Sequence, residues 1–392
     1  MSIKDYNKLD ITYTVIICSL AKIMLGYVVF IFGYDFLNAN KFFTDAKTIY
    51  SLYNSFSSIG ELFRFSINDS FGNTARLYRI IFFNLNLSFN EFVFFNTVLY
   101  VLIFFFLVYA VKIKYNKDIF VFFCAFYVFD IIFLYIPSKD IFNLLLTILF
   151  LKLLINRSRY SYMIIFLLYG LYSLFFRKYY IIILIAFYFL LLLSRINFVK
   201  KMLVIIFTIS VFSFIFMKTR LFDDIIYLRY YSTLVLGGYT NTLISDVFQQ
   251  IPGQKNILLF VLNYFINLVR IVIPIEVLWK SLSRGIIYVP LQLATNLLIL
   301  LYIKVVSNFY KFKTITTIQK TVKIKEYYII KNIVVYIVSF YMVSALFEPD
   351  FGSFFRHSTS LLPFLFYLLF SVDIRSILRT FKMGEICNSR VK

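Results

Sequence analysis

The chain has 392 residues, of which 61% are hydrophobic and only 15% charged, and it carries a net charge of +21 at a mean hydropathy of +0.84. A water-soluble fold holds roughly 45–50% apolar and about 25% charged residues and has too little interior to hide this much Phe, Ile and Leu. Composition therefore excludes a soluble domain and predicts an all-α, polytopic integral membrane protein, one transmembrane domain over residues 1–392.

Met1 to Asp10 lead into Ile11–Gly33, an apolar stretch longer than the core of a typical cleaved leader and long enough to cross a bilayer. It is expected to be the first, uncleaved span. Apolar windows with basic flanks predict further spans near Phe92–Val111, Ile119–Ile136, Ile141–Ile155, Tyr162–Phe176, Tyr179–Leu193 and Met202–Met217, then near Ile286–Val306, Tyr328–Leu346 and Ser360–Ile374. The windows ending at Ile155 and Leu193 are short and need untilted helices or a locally thinned bilayer.

Charge alternates between the connections. Lys4 and Lys8, Lys112 to Lys117, Lys152 to Arg159, Arg195 to Lys201, the basic loop 304–326 and the tail from Arg375 together hold more than half of the 40 basic residues. The positive-inside rule places all of these segments in the cytoplasm, with both termini. The positive net charge is then a topological signal, and no nucleic-acid partner is expected.

Residues 256–276 test this assignment. The segment is apolar enough to cross, but counting it would move the lysine-rich 304–326 loop outside. Asn263, Asn267 and Arg270 recur at i, i+4 and i+7, one face of a helix. The expectation is an amphipathic helix at the outer interface, which gives ten spans, or eleven if the segment crosses.

The outer face then carries the first large loop, 34–91, the second, 218–285, and three short connections. Most of the 19 acidic residues lie there, beside cations that break the positive-inside trend. Pro137-Ser-Lys139-Asp140 and Phe176-Arg177-Lys178-Tyr179 join very apolar helices through almost no loop, so their charges are forced to helix ends. Cations held there cost free energy unless they meet anions or water. The third connection reads Glu348-Pro-Asp350-Phe-Gly-Ser-Phe-Phe-Arg356-His357. Its carboxylates and imidazole can accept a proton, and its arginine fork can hold a phosphate. In the first loop, Asp45 and Tyr53 fall on roughly one side of a helix. Arg76, Arg229 and Arg270 are weaker binding candidates from the long loops.

Several chemistries are absent from the sequence. There is no G-x-x-x-x-G-K-[ST] loop for ATP and no G-x-S-x-G elbow. One histidine and three scattered cysteines make a metal centre or disulfide framework unexpected, and no cofactor is expected. Matching interrupted helices, the mark of many secondary transporters, are missing too.

In the Pro137–Asp140 turn followed by Ile141-Phe142, in Phe175-Phe-Arg177-Lys-Tyr-Tyr180 and in Glu348-Pro-Asp350…Arg356-His357…Pro363, the chain resembles bacterial O-antigen and capsule repeat-unit polymerases of the Wzy type. The Asp45-Ala…Tyr50 stretch looks like the first-loop acidic motif of multi-span glycosyltransferases that use lipid-linked donors. The resemblance implies an enzyme of the bacterial inner membrane that polymerises undecaprenyl-diphosphate-linked oligosaccharides at the periplasmic face. It also implies a chain-length regulator and a flippase as partners, with membrane lipids around it. Arg177, Lys178, Arg356 and Lys139 are then expected to clamp the diphosphate, and Asp140 is, with Arg76, Arg229 and Arg270, a weaker candidate for binding sugar. Glu348, Asp350, Asp45 and His357 are the candidates for the catalytic proton acceptor. A ligase or other lipid-linked-sugar transferase, and a flippase, are the competing expectations.

Overall fold

The structure, a computed structural model, describes residues 3–39, 44–67, 69–111, 135–156, 160–194, 227, 244, 256–309, 317–348 and 350–370. The described residues are helical, with no strand among them. Thr12–Phe32, Phe89–Val111 and Glu326–Phe347 are long and apolar enough to cross a membrane. Ser161–Phe175, Tyr180–Leu193, Ile257–Val272 and Tyr288–Lys304 are shorter apolar helices. The expected spans at 119–136, down to residue 134, and at 202–217 lie outside the described residues, as do Arg229 and nearly all of 218–255.

The chain divides into two compact units, residues 1–180 with 356–374, and residues 181–355 with 375–392. In the first, α1 (Ile3–Ala39) packs on α5 (Phe89–Val111), which packs on α6 (Asp140–Asn156). α6 in turn contacts α7 (Ser161–Phe175), the 3₁₀ turn Thr359–Leu361 and α14 (Leu362–Phe370). Ile141, Leu144, Ile148, Phe150 and Leu151 of α6 are all buried, so this helix is the central post of the unit. α1 instead exposes Ile17, Leu20, Met24 and Phe32, the pattern of a helix bathed in lipid.

Between α1 and α5 three short helices, α2 (Thr44–Ser55), α3 (Ile59–Leu62) and α4 (Ser70–Ile81), fold into a cap. Its core is aromatic, with the rings of Tyr53, Tyr78, Phe82 and Phe92 in mutual contact. Arg79 lies over the Tyr53 ring and donates to the Tyr53 carbonyl and to Asn84 and Asn86, closing the loop after α4. That loop turns through Phe83 and Asn84 at φ 52° and 58°. Asn tolerates this left-handed region, whereas Phe83 adopts it with its ring exposed.

A charged residue sits in the middle of the first of these long apolar helices. Lys22 of α1 is fully buried, its Nζ 5.6 Å from the Tyr100 ring centroid and 5.0 Å from that of Phe104. Cation–π attraction and the apolar stem let a lysine lodge where few charges are tolerated. A single Lys within an apolar window leaves the sequence reading of a span unchanged, which is why it carries no signal there.

In the second unit α9 (Ile257–Val272) and α11 (Leu282–Phe309) both pack on α12 (Thr317–Phe347), and α10 (Glu276–Lys280) packs on α11. Asn263 and Asn267 of α9 are buried, and Tyr264 donates to the Met342 carbonyl of α12 at 3.1 Å. Gln292 reaches Tyr341 at 3.0 Å, and Asn296 donates to the Val272 carbonyl. The polar face of α9 is therefore turned inward. Gly285 is needed where α11 begins, because a Cβ there would come within 2.6 Å of the Leu278 Cα. α13 (Phe351–Ser358), which belongs to the second unit up to Phe355 and to the first from Arg356, is capped by Asp350, whose carboxylate accepts from the Ser353 N–H and hydroxyl, both at 2.8 Å.

Candidate active site

Four segments of the first unit bring their charges together. Asp45 lies in the first turn of α2 and Asp140 opens α6, so both carboxylates sit at helix N-termini, where the backbone dipole favours negative charge. Arg356 and His357 occupy the last turn of α13, where it favours positive charge. Arg177 comes from the tight link between α7 and α8 (Tyr180–Leu193). That link is bolted in place by Asn73 of α4, which donates to the Phe175 carbonyl at 2.9 Å, and by Ser173, which donates to the Lys178 carbonyl at 2.7 Å.

Asp140 is the hub. One oxygen accepts from Arg177 Nη2 at 2.6 Å, and the other lies 3.3 Å from Arg356 Nε. Arg356 spans both carboxylates, since its Nη1 donates to Asp45 Oδ2 at 2.9 Å across 311 positions of sequence. The two ion pairs differ in solvation. Asp140 and Arg177 side chains are 1% and 5% exposed, whereas Asp45 and Arg356 are 31% and 30% exposed. The first pair is scaffold, and the second faces out.

His357 is buried between the arginines. Its Nε2 lies 3.3 Å from Arg356 Nη2, which can only donate, so this nitrogen accepts. Nδ1 then carries the proton and donates to the Tyr179 hydroxyl at 3.1 Å, which also accepts from Arg177 Nη1 at 3.0 Å. This tautomer is assigned from the hydrogen-bond network. Burial, followed by Arg177, Arg356 and Lys139, holds the imidazole well below its usual pKa, and it stays neutral. Burial also works against the Arg177 charge, but Asp140 more than offsets it and the guanidinium stays protonated.

Lys139 completes the rim. Its Nζ donates to Ser70 Oγ at 3.1 Å and sits 4.2 Å from the Phe71 ring centroid. Burial, with Arg177, lowers its pKa to about 8 against the pull of Asp45 and Asp140. The turn that presents it hangs on Tyr78, whose hydroxyl accepts from the Ser138 N–H at 3.1 Å and donates to Asn96 at 2.6 Å. Tyr78→Phe removes the acceptor of one buried donor and the donor to one buried acceptor, and is expected to cost about 1–3 kcal/mol in detergent unfolding. Unchanged stability would place the turn's support elsewhere.

Among the described residues three cations, Lys139, Arg177 and Arg356, meet two carboxylates, Asp45 and Asp140, an excess of positive groups. The cluster also keeps unsatisfied groups. Among the described residues Arg177 Nε and Asn143 Oδ1 are buried without a hydrogen-bond partner, while Arg356 Nε and Asp140 Oδ2 have only their mutual ion-pair contact at 3.3 Å. Native interiors rarely leave such groups, and charged side chains with hydrogen-bonding capacity to spare are a mark of polar chemistry.

The remaining sequence candidates make other contacts. Lys178 points its side chain out, one residue from Arg177. Arg76 is occupied within the cap, donating to the Glu61 carbonyl at 3.2 Å and to Asp69 at 3.1 Å. Arg270 pairs bidentately with Glu276 at 2.6 Å in the second unit. Glu348 is buried in that unit, and Asp350 is engaged as a helix cap. Tyr53 is fully buried in the cap core, where its hydroxyl donates to the Leu85 carbonyl at 2.6 Å. The sequence reading missed Tyr179, Tyr78 and Ser70. Tyr179 lies inside a motif already singled out and could have been found there, whereas the other two carry no local signal.

No protein-family model matches the chain, and no curated protein and no solved structure matches it.

Proposed function

We propose that the chain is a glycosyltransferase of the bacterial inner membrane that polymerises undecaprenyl-diphosphate-linked repeat units at the periplasmic face. In this reading both termini are cytoplasmic. The observation that carries it is the bridge of Arg356 between Asp45 and Asp140, with Arg177 on the same carboxylate and Lys139 alongside. An excess of positive charge in a poorly hydrated cluster, next to one accessible carboxylate, suits a reaction that expels a diphosphate and removes a hydroxyl proton.

The chemistry follows from those roles. The acceptor sugar's hydroxyl oxygen attacks the anomeric carbon of the growing glycan. The bond from that carbon to the diphosphate oxygen breaks, and the electron pair leaves with undecaprenyl diphosphate. Arg356, Arg177 and Lys139 stabilise the charge that gathers on the leaving oxygen. The hydroxyl proton passes to Asp45, the carboxylate that remains open. Asp140 positions the two arginines. His357 is assigned to orientation, because its accepting nitrogen already faces Arg356. No metal or cofactor enters these steps.

Cells in which Arg356→Ala replaces the natural chain are expected to hold the protein in the membrane at normal abundance yet make surface glycan of a single repeat. A fall of about 10²–10³-fold in transfer is the scale for losing one such stabilising donor. A normal ladder would overturn the clamp. Deletion separates the competing readings. Accumulation of units on the cytoplasmic leaflet means a flippase, and one sugar added to a defined acceptor in vitro, with no ladder, means a ligase or single-addition transferase.

Lys139 supplies a pH signature. It is charged below about 8 and loses its proton as pH rises through that value. Binding of farnesyl diphosphate by the purified chain is therefore expected to weaken above pH 8. Lys139→Arg should hold affinity across that range, because its guanidinium stays charged. The same alkaline decline in both proteins would remove Lys139 from the site.

A further inference from the structure

α9 has its polarity reversed with respect to a helix lying on a water-facing surface. Asn263, Asn267 and Ile271 are buried toward α11 and α12, while Leu258, Leu262, Phe265 and Val269 form an exposed stripe on the other side. A helix at a membrane surface turns its polar face to water, and one immersed in lipid turns its polar groups into the protein. The stripe does not stop at the helix end. It continues through Ile273, Ile275, Trp279 and Leu282, all exposed. Trp279, the one tryptophan of the chain, is 74% exposed.

Beside this apolar foot stands a charged knot. Glu276 accepts from both ends of the Arg270 fork, and Lys280 pairs with the same carboxylate. Among the described residues two cations thus meet at one carboxylate, close in sequence to an exposed indole. Gly285 draws α11 against Leu278, fixing the hairpin. Indole and snorkelling cations together are the chemistry of the boundary between phospholipid headgroups and acyl chains, where phosphates supply the complementary charge.

We propose that Ile273–Leu282 is an interfacial anchor seated at the headgroup level of a phospholipid bilayer, and that α9 descends from it into the hydrocarbon with its asparagine face held inside the protein. A helix of this length extends about 24 Å, short of the roughly 30 Å hydrocarbon core, so it enters the bilayer without adding a span and the 304–326 loop keeps its side. Leu262 would then lie about 15 Å below the helix end, near mid-depth.

Because the chain has one tryptophan, its fluorescence reads the anchor directly. The full chain is reconstituted into phosphatidylcholine–phosphatidylglycerol vesicles containing lipids brominated either near the carbonyl or near the acyl terminus. Emission from Trp279 is expected to be quenched most by the shallow label, less by the deep label, and weakly by aqueous iodide. A second protein, Trp279→Phe with Leu262→Trp, is expected to reverse the order, with the deep label dominant. Three results overturn the proposal. Dominant iodide quenching of Trp279 puts the foot in water, and indifference to all quenchers puts it under another protein. Equal, shallow quenching at both positions means a helix lying flat on the surface. None of these outcomes depends on catalytic activity.

Discussion

Replacing Asp140 by Ala is expected to be among the most damaging single substitutions in the chain, costing about 3–5 kcal/mol of stability. The reason is the asymmetry of a buried ion pair. Together Asp140 and Arg177 repay most of their desolvation, but the deletion leaves a guanidinium that is 5% exposed without its carboxylate, and frees Arg356 from its second partner. The cost falls on Arg177, which cannot shed its proton. Asp140→Asn keeps the shape and one acceptor oxygen, so it should recover part of the loss. The comparison that makes this specific is Asp45→Ala. That ion pair is about one-third exposed on both sides, and its loss should cost no more than about 1 kcal/mol. Thermal unfolding of the three variants in one detergent checks the order. Equal melting of Asp140→Ala and the parent would show that the hub carries no weight.

Much of the helical framework is legible in the sequence because lipid selects for apolar runs. The helices at 3–39, 89–111, 140–156, 161–175, 180–193, 282–309 and 317–347 all fall on apolar windows. The short helices of the first loop are a different matter. Asp45 and Tyr53 share a helix as their spacing suggests, yet they serve opposite purposes, one facing Arg356 and one sealed against Phe92. Periodicity identifies a face without saying what covers it.

Residues 256–276 make the same point more sharply. The recurrence of Asn263, Asn267 and Arg270 defines a polar stripe, but the pattern is identical whether water or protein lies against it. In the fold the stripe is inside. Pairings over long separations were equally closed to the sequence. The three short connections could be flagged because charge at the end of an apolar helix demands a partner. That Arg177 answers to Asp140, and Arg356 to Asp45, is decided by how the α2 and α6 N-termini, the α7–α8 link and the segment from Arg356 come together within the first unit.

Asp45→Asn is expected to separate catalysis from structure. The substitution is isosteric and can still accept a hydrogen bond from Arg356, so the protein should melt within about 1 kcal/mol of the parent. Binding of farnesyl diphosphate should also survive, since all three cations remain in place and one negative charge has gone. What disappears is the basic oxygen. An amide cannot take the acceptor hydroxyl's proton, and transfer should fall by about 10²–10⁴-fold, the usual contribution of a positioned general base. Lys139→Met should behave the other way, with weaker diphosphate binding and a smaller effect on saturated turnover. The pair of variants therefore splits binding from proton removal. If Asp45→Asn transfers glycan at the parent rate while retaining its fold, the base lies elsewhere. His357→Gln then becomes the decisive variant, because a loss of transfer there, with the fold retained, would move the proton acceptor to the imidazole.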